Sequence, residues 1–271
     1  MSNNAPIGVY DSGFGGLSVW RELRRLLPDE SIIYLGDGKN CPYGGRERSE
    51  IEGFAIAAVE RLVNEGVKMV VVGCNTATTA AVATLRERWR DMPIVGLEPA
   101  VKPACLTTVT RKIAVLATEH SLSSDMFLAT AARYAEDVEV VKVVGEGFVE
   151  LVENDMEHTA EAERLVRRAV EPLLERGVDK IVLGCTHYPF LRPHIERIVA
   201  GHGIDVIDSG EAVARRVAWL LERYDIAAER GRKEPRMEYI TFADEEYRKR
   251  LEHKAQLIIN EENIESVYGK R

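Results

Sequence analysis

Two periodicities alternate along the chain. Short, nearly unbroken apolar runs bounded by glycine, proline or polar residues read as buried strands at 7–10, 31–35, 69–72, 93–97, 112–116, 138–144, within 177–185, and at 206–207. Between them, apolar positions recur at intervals of three and four, the spacing of amphipathic helices. Examples are Val19, Trp20, Leu23, Leu26 and Leu27, then Ile51, Ala55, Ala58, Val59 and Leu62, and later Val213, Val217, Leu220 and Leu221. Pro28 ends the first helix. Further helices are predicted from Cys74 to about Arg90, after Thr118, over 161–176 with a kink at Pro172, and from about Phe190. A charged connection over 225–236 leads to an alternating strand at 237–242 and a charged helical tail from Asp244.

Strands that alternate with helices indicate parallel α/β architecture. The order of junctions also repeats. A strand ending at Asp11-Ser12, a second strand, and a strand ending at Gly73-Cys74 are echoed by strands ending at Ala117-Thr118 and at Gly184-Cys185. Gly66-Val67 and Gly177-Val178 open the two cysteine segments at equal distances from their thiols. The expected fold is therefore two pseudo-symmetric, doubly wound parallel-sheet lobes with a site in the cleft between them. Residues 98–207 form the second lobe. Residues 1–97 and 208–271 form the first, because the chain from Asp208 onward has no counterpart in the middle lobe.

Composition narrows the function classes. The 271 residues carry a formal charge of −8, which disfavours nucleic acid and anionic membrane surfaces as partners. No apolar run is long enough to span a bilayer, and the short polar start leads straight into a strand, so a cytoplasmic protein is expected. Four cysteines (Cys41, Cys74, Cys105 and Cys185) without a CxxC pair suggest neither a disulfide framework nor a structural zinc site.

Parallel sheets bind ligands outside the carboxyl ends of their strands. There the chain places Asp11 and Ser12; Pro42, Tyr43 and Gly44; Cys74, Asn75 and Thr76; Thr118 and Ser121; Cys185, Thr186 and His187; and Asp208 and Ser209. Hydroxyls, an amide and free N–H groups at helix starts suit a small anionic ligand, and the same field favours thiolates. A single buried cysteine is as readily explained by packing. Two in repeated context suit a reaction in which one thiol removes a proton from a carbon acid and the other delivers one to the opposite face. Asp11 and His187 would tune their protonation.

Three alternatives stand beside this. Cys185 with His187 could act as a thiol hydrolase, which leaves Cys74 unexplained. A metal site built from Cys74, Cys185, His187 and Asp11 lacks a familiar zinc spacing, and no metal is expected. The loop over 11–16 is glycine-rich but is neither GxGxxG nor a P-loop. His120, His158, His194, His202 and His253 read as surface or capping residues and Cys105 as packing, while Cys41 beside the Pro-Tyr-Gly loop has no assigned role.

The ordered set Asp11-Ser-Gly-x-Gly-Gly16, Pro42-Tyr-Gly44, Cys74-Asn-Thr-Ala77, Gly184-Cys-Thr-His-Tyr-Pro189 and Asp208-Ser-Gly210 resembles the glutamate racemases of the aspartate/glutamate racemase superfamily. The resemblance runs from about Ile7 to Tyr224. It implies cofactor-independent interconversion of L- and D-glutamate for peptidoglycan synthesis, with a racemase for another acidic amino acid such as aspartate as the alternative. It also implies a homodimer with a small-molecule substrate. By similarity Cys74 takes the α-proton of D-glutamate and Cys185 that of L-glutamate, with Asp11 assisting the first and Glu153 and His187 the second. Substrate contacts map onto Asp11, Ser12, Tyr43, Gly44, Asn75, Thr76, Thr186 and His187; Pro42, Thr118 and Ser121 join them as junction residues. The chain departs from the family at His120-Ser121, where Gly-Thr is common, and at Cys41. It also lacks the proline that often precedes the assisting acid, which leaves Glu150 as a rival to Glu153.

Overall fold

The computed structural model describes residues 3–231 and 235–268, with side chains described to residue 260. What the sequence suggested for residues 1–2, 232–234 and 269–271 lies outside the described residues. In the first half, β1 (Ile7–Asp11), α1 (Leu17–Leu26), β2 (Ile32–Gly36), α2 (Arg48–Asn64), β3 (Met69–Val72), α3 (Asn75–Arg88) and β4 (Ile94–Gly96) alternate as the periodicities predict. The middle contributes α4 (Val101–Thr107), β5 (Lys112–Ala117), α5 (Glu119–Ser123), α6 (Asp125–Tyr134), β6 (Glu139–Val144), α7 (Phe148–Glu153), α8 (Ala160–Leu174) and β7 (Lys180–Leu183). A 3-10 turn (Tyr188–Leu191), α9 (Arg192–Val199), β8 (Asp205–Ile207), α10 (Gly210–Arg223), β9 (Met237–Thr241) and α11 (Glu245–Tyr268) complete it.

Two parallel sheets result, ordered β4-β3-β1-β2-β9 and β6-β5-β7-β8. The first draws its last strand from the far end of the chain: β9 pairs with β2 in parallel, Ile32 opposite Met237. Both sheets are covered on both faces. Trp20 and Leu23 of α1 pack with Val217 and Leu221 of α10 and Leu251 of α11 on one side of the first sheet, and α2 and α3 cover the other. Helices α7, α8 and α9 cover one face of the second sheet, with α4 and α6 on the opposite face. Burial on two faces explains the unbroken apolar runs of β1, β2 and β3. It fails for β6, an edge strand whose valines are partly exposed despite an apolar sequence.

The repeat seen in the sequence is also geometric. In each sheet the cysteine strand lies beside the strand that opens its half, β3 beside β1 and β7 beside β5. Gly73 N–H donates to the Tyr10 carbonyl at 2.7 Å, and Gly184 N–H donates to the Leu116 carbonyl at 2.7 Å. Gly66 and Gly177 take φ of 77° and 71°, the left-handed conformation that turns the ends of α2 and α8 toward the following strand.

The second lobe opens with α4, which buries Cys105, and two expectations are corrected. The helix expected from Phe190 begins as a 3-10 turn at Tyr188, because Pro189 and Pro193 lack the N–H groups of a regular start and are tolerated only in first turns. His194 is buried, not superficial, and its Nε2 lies 2.8 Å from the Glu157 carbonyl, to which it donates.

Helix α11 ties the two sheets together. Lys254 is buried and donates to the Val152 carbonyl, to Asp155 and to Glu157, at 2.8–2.9 Å. Lys254→Ala leaves the Glu157 carboxylate buried without its cation. Thermal or denaturant unfolding is expected to show a loss of about 3–5 kcal/mol; a loss below about 1 kcal/mol would mean that solvent replaces the ammonium.

Candidate active site

The carboxyl ends of β1, β3, β5 and β7 face a shared cavity of about 200 Å³. Cys74 and Cys185 both line it, with Ser12, Tyr43, Thr76, Thr118, Thr186 and His187, and with Pro42 and Gly44 of the second loop. A larger hollow of about 450 Å³ between β6 and α8 holds no thiol, hydroxyl or imidazole and is no rival. Asp11, Asn75, Ser121 and Glu153 stand behind the lining rather than in it. Asp208 and Ser209 are directed elsewhere: Asp208 caps Gly210 N–H and pairs with Arg192, and Ser209 bonds the Glu98 carbonyl.

The two thiols sit in different local structures. Cys74 is the N-cap of α3, and its Sγ accepts from Ala77 N–H at 3.4 Å. The thiol donates to Ser12 Oγ at 3.6 Å. The sequence suggested that helix-start N–H groups would favour a thiolate here. Burial instead dominates and, with the Asp11 charge, pushes the Cys74 thiol up to about 12 against the pull of Ala77 N–H and Ser12. Cys74 rests as a thiol. Cys185 has no regular helix immediately after it; its Sγ lies 3.7 Å from His187 Nδ1.

His187 is held from behind. Its Nε2 lies 2.7 Å from Glu153 Oε1, which also accepts from Phe14 N–H at 2.7 Å, while Tyr247 Oη donates to Glu153 Oε2 at 3.0 Å. Burial alone would lower the imidazole's pKa. Hydrogen bonding with Cys185, Cys41 and Glu153 outweighs it and holds His187 well above the usual range. Burial likewise works against the Glu153 carboxylate, yet His187, Phe14 N–H and Tyr247 together keep its pKa below the ordinary value. Both shifts favour an imidazolium facing a carboxylate. Glu150 lines the cavity itself, so the two acids occupy distinct places: Glu153 behind His187 and Glu150 at the wall.

Asp11 does not hydrogen-bond a thiol. Its oxygens accept from Gly13 N–H at 2.8 Å and, across the cleft, from Thr186 Oγ1 at 3.0 Å. Complete burial raises its pKa, opposed by the His187 charge and the Gly13 N–H. Ser18 Oγ adds a second bridge at 2.9 Å to the Thr186 carbonyl, and Thr76 Oγ1 meets Thr118 Oγ1 at 3.4 Å. Ser121 accepts from Thr118 Oγ1 at 3.0 Å, so it positions Thr118. The Tyr43 hydroxyl donates inward to Asp37 at 2.6 Å. Asn75 reaches the Leu97 carbonyl at 3.5 Å, and its buried Oδ1 has no hydrogen-bond partner among the described residues.

The glycine-rich loop has a steric reason rather than a phosphate-binding one. A Cβ on Gly15 would stand 2.4 Å from His187 Nδ1 and 2.7 Å from Thr186 Oγ1, and one on Gly13 would stand 2.1 Å from Glu153 Oε1. The first-lobe backbone must come this close to deliver Phe14 N–H to Glu153.

Sequence reasoning missed Asp37 and Tyr247. Tyr247 lies on α11, read only as a charged tail, and its ring stacks on Phe14 at 4.7 Å. The available signal was its apolar spacing with Leu251, Ala255 and Ile258, which line the buried face of that helix.

Comparison with known proteins bears on this arrangement. The family model described as Asp/Glu/Hydantoin racemase matches residues 13–217. A glutamate racemase of Herpetosiphon aurantiacus is 48% identical over 221 residues, covering 82% of this chain and 86% of the relative. One from Ectopseudomonas mendocina is 45% identical over 226 residues, covering 83% and 86%. Among solved structures, Escherichia coli glutamate racemase in complex with L-glutamate and the activator UDP-MurNAc-ala superposes with a TM-score of 0.83, at 32% identity over 94% of this chain and 95% of that one.

Proposed function

The chain belongs to the Asp/Glu/hydantoin racemase family, and on that premise we propose that it interconverts L- and D-glutamate by a two-thiol mechanism that draws on no cofactor. The observation that carries this reading is that two sulfurs from equivalent junctions of the repeat line one cavity. Cys185 removes the α-proton of L-glutamate while Cys74, protonated at rest, delivers a proton to the opposite face; the reverse direction exchanges their roles. His187, charged and 3.7 Å from Cys185, stabilises that sulfur when it is a thiolate and returns its proton. Glu153 keeps the imidazole charged and oriented. The N–H groups opening α3 suit a substrate carboxylate.

The wider reading is a cytoplasmic homodimer that supplies D-glutamate for peptidoglycan, with lobes divided at 97 and 207. Among the described residues no helix is long and apolar enough to cross a membrane. The run Cys185–His187–Glu153 also matches the order of nucleophile, base and orienting acid in a thiol hydrolase. A polarimetric assay separates the readings. Desalted enzyme with no added cofactor should bring either glutamate enantiomer to a racemic mixture and leave aspartate unchanged. Racemised aspartate would shift the substrate to the alternative acid, and thioester or amide hydrolysis without racemisation would favour the hydrolase.

The His187–Glu153 pair makes a pH-dependent prediction. The carboxylate raises the imidazole's pKa, so its removal lowers it. In Glu153→Gln the alkaline limb of kcat/KM, where His187 loses its proton, is expected to move to lower pH than in the wild type. A limb at the wild-type position would assign that ionisation to another group.

A further inference from the structure

Cys41 is the one thiol near the site that the reaction does not use. It approaches the back of the Cys185 machinery and stands with Glu153 and His187 such that one ligand atom from each lies within 4.8 Å of the other two. Cys41 as a residue is only partly buried, while burial of its thiol pushes the pKa up to about 12. A thiol, an imidazole and a carboxylate form the mixed ligand set taken by borderline-soft divalent cations, with a fourth position left for water. Zn–S and Zn–N bonds of about 2.3 and 2.0 Å put tetrahedral neighbours roughly 3.5 Å apart, so ligand atoms no more than 4.8 Å from one another need shifts of about 1 Å, with the 2.7 Å His187–Glu153 hydrogen bond giving way to the cation. Tyr247 Oη and Phe14 N–H already fix the Glu153 carboxylate, as outer-shell groups do in metal sites.

We propose that Cys41, Glu153 and His187 form an inhibitory site for a thiophilic divalent cation, Zn²⁺ or Cd²⁺ in class, whose binding takes His187 from Cys185. Coordination displaces one proton from the Cys41 thiol and one from the imidazolium, and both pass to water; no covalent bond forms and nothing is oxidised. Hard cations such as Mg²⁺, which prefer oxygen ligands, do not compete for this set. The inhibitory consequence rests on the racemase reading given above, whereas the site itself does not.

The test keeps these apart by following binding directly. Cd²⁺ titrated into the Cys74→Ser/Cys185→Ser double variant, with Cys41 intact, should give the ultraviolet thiolate-to-cadmium absorption at one equivalent, with no activity needed as a readout. Adding Cys41→Ala should abolish it. In the activity assay Cys41→Ser should retain racemisation and raise the Zn²⁺ concentration for half-inhibition by at least about 10-fold. A band that vanishes in the double variant but persists in Cys41→Ala would place the cation on the catalytic thiols and overturn the proposal. Unchanged Zn²⁺ sensitivity in Cys41→Ser would do the same. A Cys41-dependent band in a protein without racemase activity would uphold the site and remove only its inhibitory meaning.

Discussion

Cys74→Ser and Cys185→Ser are each expected to lower kcat/KM by between about 10² and 10⁴-fold for both enantiomers, with the thermal transition little changed. The loss follows from chemistry, since a hydroxyl at the same place is far less acidic than a thiol and cannot carry the α-proton at neutral pH. That it is shared by both directions follows from thermodynamics: two enantiomers have equal free energy, so their kcat/KM values must fall together whichever sulfur is removed. Near-normal turnover in either variant, measured by polarimetry from both enantiomers, would remove the two-thiol account. An inert Cys185→Ser beside a normal Cys74→Ser would instead favour the hydrolase.

Gly15→Ala is expected to cost about 10²-fold in kcat, although residue 15 touches no substrate in this account. The new methyl would meet His187 Nδ1 at 2.4 Å, and Thr186 Oγ1 at 2.7 Å leaves no room on the other side. His187 must then move by about an ångström, and a displacement of that size in a proton-transfer group is worth roughly that factor. Because Thr186 also holds Asp11 across the cleft, the variant should lose the bridge between lobes together with the His187 contact. Activity within about twofold of wild type would mean that the loop backs away without disturbing the imidazole, and the close approach would then have no functional weight.

Much of the fold was legible because burial on both faces writes itself into the strands. The runs at 69–72 and within 177–185 could hardly be placed elsewhere, and their Gly-Val openings have a physical cause in left-handed glycines that end helices. The edge strand β6 carries the same apolar letters without the same burial, a distinction that depends on its neighbours and not on its sequence. At the site, the junction residues were legible as a set. Their division into lining and support was not. Asp11 and Ser121 look like ligand contacts in sequence, and in the structure they also hold Thr186 and Thr118. Nor could the chain alone weigh desolvation against helix-start N–H groups at Cys74, since burial in the fold decides that balance. The rivalry of Glu150 and Glu153 was unreadable for a similar reason: they lie three residues apart on α7, and only the arrival of Phe14 and Tyr247 from other elements marks Glu153 as the partner of His187.

The central claim is that the α-proton leaves on one side and a different proton arrives on the other. Its most direct test is to start the reaction with L-glutamate in heavy water and read Cα labelling early, by mass spectrometry or NMR, in product and remaining substrate separately. Two thiols on opposite faces predict D-glutamate carrying deuterium at Cα while the unreacted L-glutamate stays largely protiated. D-glutamate that retains the original hydrogen would mean that one base carries it across, and would contradict the account.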